Sequence, residues 1–133
     1  MSSVAVKDEI LRRVSSGQRW FPVGMAKFKV GNRLIHVRYC SADKSNSVRY
    51  KFNINPNSLV SDYELWICGD VDHYYLIPNP LIRDIYADPS AYPDKRHSEI
   101  RVVSVNAGSH IATYATGGKF VDLSTFLCAK VKL

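Results

Sequence analysis

Cysteine is sparse in this chain, and where it occurs it does not pair. Cys40, Cys68 and Cys128 are widely spaced and none forms a CxxC pair, which argues against a zinc ribbon. No apolar run approaches the roughly 18 residues that a membrane span needs. The N-terminal stretch MSSVAVKDEILRR lacks the apolar centre of a secretory signal, so a cytoplasmic, membrane-free protein is expected. Internal repeats, low-complexity tracts and linkers are missing. There is no GxSxG nucleophile elbow. Gly117-Gly118-Lys119 lacks the earlier glycine and the following Ser or Thr of a phosphate loop.

What is present suits one globular domain, residues 1–133, large enough to bury a core. Apolar residues make up 46% of the chain and charged residues 23%, an ordinary soluble balance. Eight Tyr, five Phe and two Trp argue against disorder. The net charge of +6 permits a polyanionic partner without demanding one.

Periodicity sets out the elements. Val6, Ile10, Leu11 and Val14 recur at helical spacing and predict an amphipathic helix over 2–16. Ser2 or Ser3 can cap it and Gly17 can end it. Lys7, Arg12 and Arg13 fall on its polar side. Residues 18–24 (QRWFPVG) read as a turn or extended lead-in, because Pro22 is unsuited to a central strand. Strands follow at 25–30 and 34–40, joined by the Gly31-Asn32 hairpin. In the second of these, Leu34, His36, Arg38 and Cys40 share one face, and Ile35, Val37 and Tyr39 the other.

The polar segment 41–47 reads as a loop. A strand at 48–54 follows, then a break at Asn55-Pro56-Asn57. The stretch 63–68 is nearly all apolar, as in a strand covered on both faces. A turn at Asp70-Val71-Asp72 leads to a strand over 73–77. Asn79 and Pro80 mark a helix start with Asn79 as cap, and Pro89 stops it. Residues 88–99 read as an exposed loop. Its Asp94-Lys95-Arg96-His97 run is a solvated charge cluster or a functional loop. Strands at 100–105 and 110–115 flank a hairpin loop, Gly117-Gly118 form a turn, and Asp122 can cap a short helix over 123–129. The sum is a mixed α/β fold: a sheet of about five strands with the first helix and the Pro80 helix flanking it.

Three lines of this chain carry a family resemblance: Tyr50-Lys51-Phe52-Asn53-Ile54, Asp62-Tyr63-Glu64-Leu65-Trp66-Ile67, and Tyr74-Tyr75-Leu76-Ile77-Pro78. In this order, from Arg33 to Pro78, they resemble the core of the restriction-endonuclease-like, or PD-(D/E)XK, nucleases. The resemblance extends over residues 1–87. It implies a strand bearing an acidic residue and a next strand bearing Glu or Asp, a spacer and Lys. The carboxylates would hold a divalent metal that neutralises phosphate charge and makes hydroxide. Here the corresponding run is Ile35-His36-Val37-Arg38, and residues 25–30 hold no carboxylate. In another register Arg49-Tyr50-Lys51 takes the motif, again with a base where the acid belongs. The resemblance therefore implies the scaffold without its catalytic residues, metal or cofactor.

In place of a metal site stands a candidate basic face. Lys27, His36, Arg38, Arg49 and Lys51, with Lys29 and Arg33, are expected on adjacent hairpin strands, where Tyr39 or Tyr50 supplies an aromatic platform for nucleic acid. Alternating charges on a one-sided sheet are the plainer explanation of the same pattern. Two alternatives stay open. One is a protein-interaction module, such as a small inhibitor or accessory subunit in bacterial or phage conflict. The other is a metal-dependent nuclease with acids displaced to Glu9, Asp43, Asp62 or Glu64. For the remaining polar clusters, Asp70-x-Asp72-His73 reads as an Asp-rich turn rather than a metal site, and Cys40 and Cys68 read as small buried hydrophobes.

Overall fold

A computed structural model describes residues 2–42 and 48–131. The predicted loop over 41–47 lies mostly outside the described residues. Ser2 opens the first helix, α1 (Ser3–Val14), its hydroxyl accepting from the Ala5 amide at 3.2 Å. The predicted stripe of Val6, Ile10, Leu11 and Val14 is buried, which is what holds a helix of this length on a domain. The chain turns away through Gly17 at φ 85°, a conformation that glycine adopts without steric cost.

Next come β1 (Trp20–Gly24), β2 (Lys27–Val30) and β3 (Arg33–Cys40). They are successive antiparallel neighbours, and the Gly31-Asn32 turn joins β2 to β3 as expected. The QRWFPVG segment is thus more than a lead-in. Pro22 fits because β1 is an edge strand, with a neighbour on one side only.

After β3 come β4 (Arg49–Ile54), a 3₁₀ turn (Pro56–Ser58), β5 (Tyr63–Cys68), β6 (Tyr74–Pro78) and α2 (Asn79–Ala87). β5 pairs in parallel with β3 and antiparallel with β6, which completes a five-stranded mixed sheet in the order β1-β2-β3-β5-β6. Both faces of β5 are covered, as its apolar run requires. Asn79 does not cap α2. Pro78 holds that position, and the Asn79 side chain donates instead through Nδ2 to the Leu59 carbonyl at 3.0 Å.

The remaining strands, β7 (Arg101–Asn106), β8 (Ile111–Ala115) and β9 (Lys119–Asp122), join β4 in a four-stranded antiparallel sheet ordered β4-β7-β8-β9. The fold is mixed α/β, with a five-stranded sheet and flanking helices as expected. The second sheet and β9 were not. Asp122 accepts from the Ser124 amide at 2.8 Å, but only a 3₁₀ turn over Ser124–Phe126 follows, not a helix to 129.

The layers follow from side-chain alternation. One face of the five-stranded sheet, with Ile35, Val37, Leu65 and Leu76, packs on α1. The other face, with Trp66, Tyr75 and Ile77, packs on α2 and on Phe52, Ile54, Val103 and Ala112 of the second sheet. β4 alternates perfectly, with Tyr50, Phe52 and Ile54 buried and Arg49, Lys51 and Asn53 exposed. Phe52 stacks on Trp66 with centroids 4.4 Å apart, and the buried Tyr86 hydroxyl of α2 donates to the Phe52 carbonyl at 3.0 Å. Phe52→Ala removes this joint between the sheets. It is expected to cost about 3–5 kcal/mol in urea unfolding, whereas Asn53→Ala on the exposed face should cost far less.

Candidate nucleic-acid interface

The expected set of basic residues divides between two sheets. Lys27, His36 and Arg38 lie on β2 and β3. Arg49 and Lys51 lie on β4, which pairs with β7 and not with β3. The adjacency assumed for these strands is therefore corrected. Both lateral edges of β3 are occupied, by β2 and β5, so no ladder position was open to β4.

Arg38 points into the space between the layers. Its partner there is Glu64, which is 0% exposed. Parallel pairing sets His36 opposite Glu64 and Arg38 opposite Trp66, and alternation turns all four toward the second sheet. Arg38 Nε donates to Glu64 Oε1 at 2.5 Å, and Trp66 Nε1 donates to the same oxygen at 3.3 Å. Arg38 Nη2 also donates to Ser58 Oγ at 3.1 Å and lies 3.2 Å from His36 Nδ1. Burial pushes the Glu64 carboxyl above its usual range, while the Arg38 contact opposes that rise. Burial, then Arg38 and Lys27, lowers His36 to about 4. At neutral pH, His36 is uncharged and the charge of Arg38 is matched by Glu64.

The acids proposed for a displaced metal site are held separately. Glu9 pairs with Arg12 and Arg13 on α1. Asp62 accepts from the Leu34 amide at 2.8 Å. Glu64 is engaged as described, and Asp43 lies outside the described residues. Asp70 accepts from the Asp72 amide and sits 2.8 Å from His73 Nδ1. Among the described residues, no group of three or more His, Cys, Asp or Glu could hold a metal ion. Cys68 is fully buried, and burial raises its thiol pKa. Cys40 is half-buried, its sulfur 3.1 Å from the Lys51 carbonyl.

A broad concavity lies on the outward face of the second sheet. It is a groove of about 880 Å³ whose floor includes Arg49, Lys51, Ser104 and Thr113, with the 92–96 segment as its wall. Hydrogen bonds hold that wall in place. Tyr92 bonds through its amide to Tyr114 and through its carbonyl to Val102, and the Asp94 amide bonds to Ile100. The Asp94 carboxylate accepts from Asn53 Nδ2 at 3.2 Å and from the amides of Arg96 and His97. With Asp94 so engaged, Lys95 and Arg96 stand on the rim facing Arg49, which donates to Ser104 Oγ at 2.8 Å. The charge run read as solvated is also one side of a groove. A smaller cleft of about 460 Å³ runs between β3 and β4 and is lined by Arg38, Tyr39 and Lys51. Lys51 and Asn53 border both concavities.

Sequence reasoning missed Ser104, Asn106 and Thr113. Their signal was there: Val102, Ser104 and Asn106 alternate with buried Val103 and Val105. It also missed Glu64 as the answer to Arg38, which no local pattern links. No family model, curated protein or solved structure matches this chain. Among the described residues, no helix is long and apolar enough to cross a membrane.

Two predictions follow from the buried cluster. Arg38→Ala strands Glu64 without its counter-charge and is expected to cost about 3–5 kcal/mol in denaturant unfolding, while Arg38→Met with Glu64→Leu restores most of it. The folded state resists protonating His36. Its stabilising share is therefore complete above the unfolded pKa of about 6.5 and is lost as pH falls toward about 4. Melting temperature should drop across that window, and His36→Asn should flatten the drop.

Proposed function

We propose that this chain is a non-catalytic domain that binds nucleic acid through the outward face of its second sheet. One observation carries the reading: Arg49, Lys51, Lys95 and Arg96 line a single groove whose floor holds Ser104, Asn106 and Thr113 beside Val102 and Ile111. Phosphate contacts from Arg and Lys supply most of non-specific affinity, and short polar groups between them can meet base edges. The net charge of +6 acts in the same direction over a longer range.

The nuclease-like framework is part of the proposal. It is supported by the order of lines from Arg33 to Pro78 and by the basic residues where that framework would place acids. The absence of activity is supported by the separate engagement of Glu9, Asp62 and Glu64. Within this reading the interface is made of Arg49 and Lys51 from the original set, joined by Lys95 and Arg96. Lys27, His36 and Arg38 belong to the buried layer or its margin.

A second reading, a protein-interaction module, is favoured by the apolar rim at β1. Phe21, Val23 and Met25 are exposed there, Met25 by 94%, beside an unpaired strand edge.

Salt separates the two readings. With about four phosphate contacts, affinity for a polynucleotide should fall roughly 100-fold between about 50 and about 200 mM salt. Arg49→Ala with Arg96→Ala should reduce the logarithmic slope by about 2. Titration by fluorescence anisotropy checks both. No polynucleotide affinity, together with salt-insensitive capture of a protein, would reject the first reading and favour the second.

A further inference from the structure

Phe120 is 62% exposed on a short strand, beside the half-buried Val121. Register places it in a row across the second sheet. Lys51 of β4 stands opposite Ser104 of β7, Ser104 opposite Thr113 of β8, and Thr113 opposite Phe120 of β9. Lys51, Ser104 and Thr113 line the groove. Phe120 therefore stands on the same outward face, one strand past the groove floor. From β4 to β9 the row spans three inter-strand spacings, about 14 Å. A large aromatic side chain left in water at the end of such a row adds nothing to the core, since the inward residues of β8 and β9 fill that space.

Charge along this face is graded. Arg49 and Lys51 stand on β4, and Lys95 and Arg96 line the same groove from the 92–96 segment. At the β9 side Asp122 stands opposite Ile111 on the outward face, and the Ser124 amide holds its carboxylate below the usual range. Asp122 therefore stays negative and repels phosphate. Anionic groups are favoured at one end of the row, and an uncharged aromatic surface is offered at the other.

We infer that the groove takes a single-stranded polynucleotide, laid across the four strands with its phosphates toward Arg49 and a base stacked on Phe120. This rests on the reading of the groove as a nucleic-acid site and specifies the strandedness of its ligand. The chemistry distinguishes the ligand forms. A duplex hides its base faces inside the stack and offers Phe120 nothing to lie against. An unpaired strand exposes them, and sheet faces with exposed aromatics exploit this. Ser104, Thr113 and Asn106 lie between the two ends and supply polar groups for base edges. Stacking is indifferent to base identity, so the site discriminates unpaired from paired strands more than one sequence from another.

The test uses the full chain, with labelled oligothymidylate and a mixed-sequence duplex of equal length, followed by anisotropy. The single strand is expected to bind more tightly than the duplex. Phe120→Ala should weaken single-strand binding by about tenfold or more and leave duplex binding unchanged, Phe120→Tyr should retain it, and Arg49→Ala should weaken both. Phe120 is exposed, so an unchanged melting temperature verifies that each variant is folded. Equal binding of strand and duplex, or a Phe120→Ala variant that binds like the parent, overturns the inference. If Arg49→Ala still weakens binding in that case, the nucleic-acid reading survives it. If neither oligonucleotide binds at all, both fall.

Discussion

Glu64 is a carboxylate without contact with water, and most of this architecture answers to it. A buried ionised group requires a counter-charge and further hydrogen bonds at close range. Arg38 supplies the charge from the adjacent parallel strand, Trp66 donates a further hydrogen bond to the acid, and Ser58 accepts one from Arg38. Sliding β3 against β5 by one residue would turn Arg38 to the α1 side and leave the acid alone. The pair therefore fixes the parallel register as firmly as the apolar rows do. It also withdraws from the surface an arginine that alternation along the chain places among outward charges.

That withdrawal explains where the positive surface went. The five-stranded sheet is covered on both faces, by α1 on one side and by α2 with the second sheet on the other. Among its basic residues, His36 and Arg38 are turned inward. The second sheet has only one covered face. Its outward positions on β4, β7 and β8 are free to hold polar and cationic side chains, and the 92–96 segment folds over them as a wall. One-sided burial is thus the condition for the groove to exist.

The local elements were legible because their periodicities are unambiguous. Ile10 and Leu11 declared a helix face, the alternation through Tyr50, Phe52 and Ile54 declared a one-sided strand, and the apolar run Leu65–Cys68 declared a two-sided one. The partners of those strands were not legible. Nothing in Arg49–Ile54 states that its ladder partner is the distant Arg101–Asn106, so the expected adjacency of β4 to the β2–β3 hairpin does not hold. β9 escaped because Lys119–Asp122 is short and mostly exposed, with no apolar repeat to announce it. Asn79 looked like a cap, but its side-chain amide was recruited by Leu59. Of the groove lining, the outward placing of Arg49 and Lys51 was legible from alternation, whereas Lys95 and Arg96 needed the fold to bring them over the sheet.

β4 lies within the connection between parallel neighbours β3 and β5. The loop that must close to register the central sheet is the same segment that seeds the other one. Closing a long loop costs chain entropy before any ladder contact repays it. Neither layer gains its full burial until the other is in position. The two layers therefore depend on each other for burial, and a chain that lacks the β7–β9 meander leaves the ladder edge of β4 unpaired.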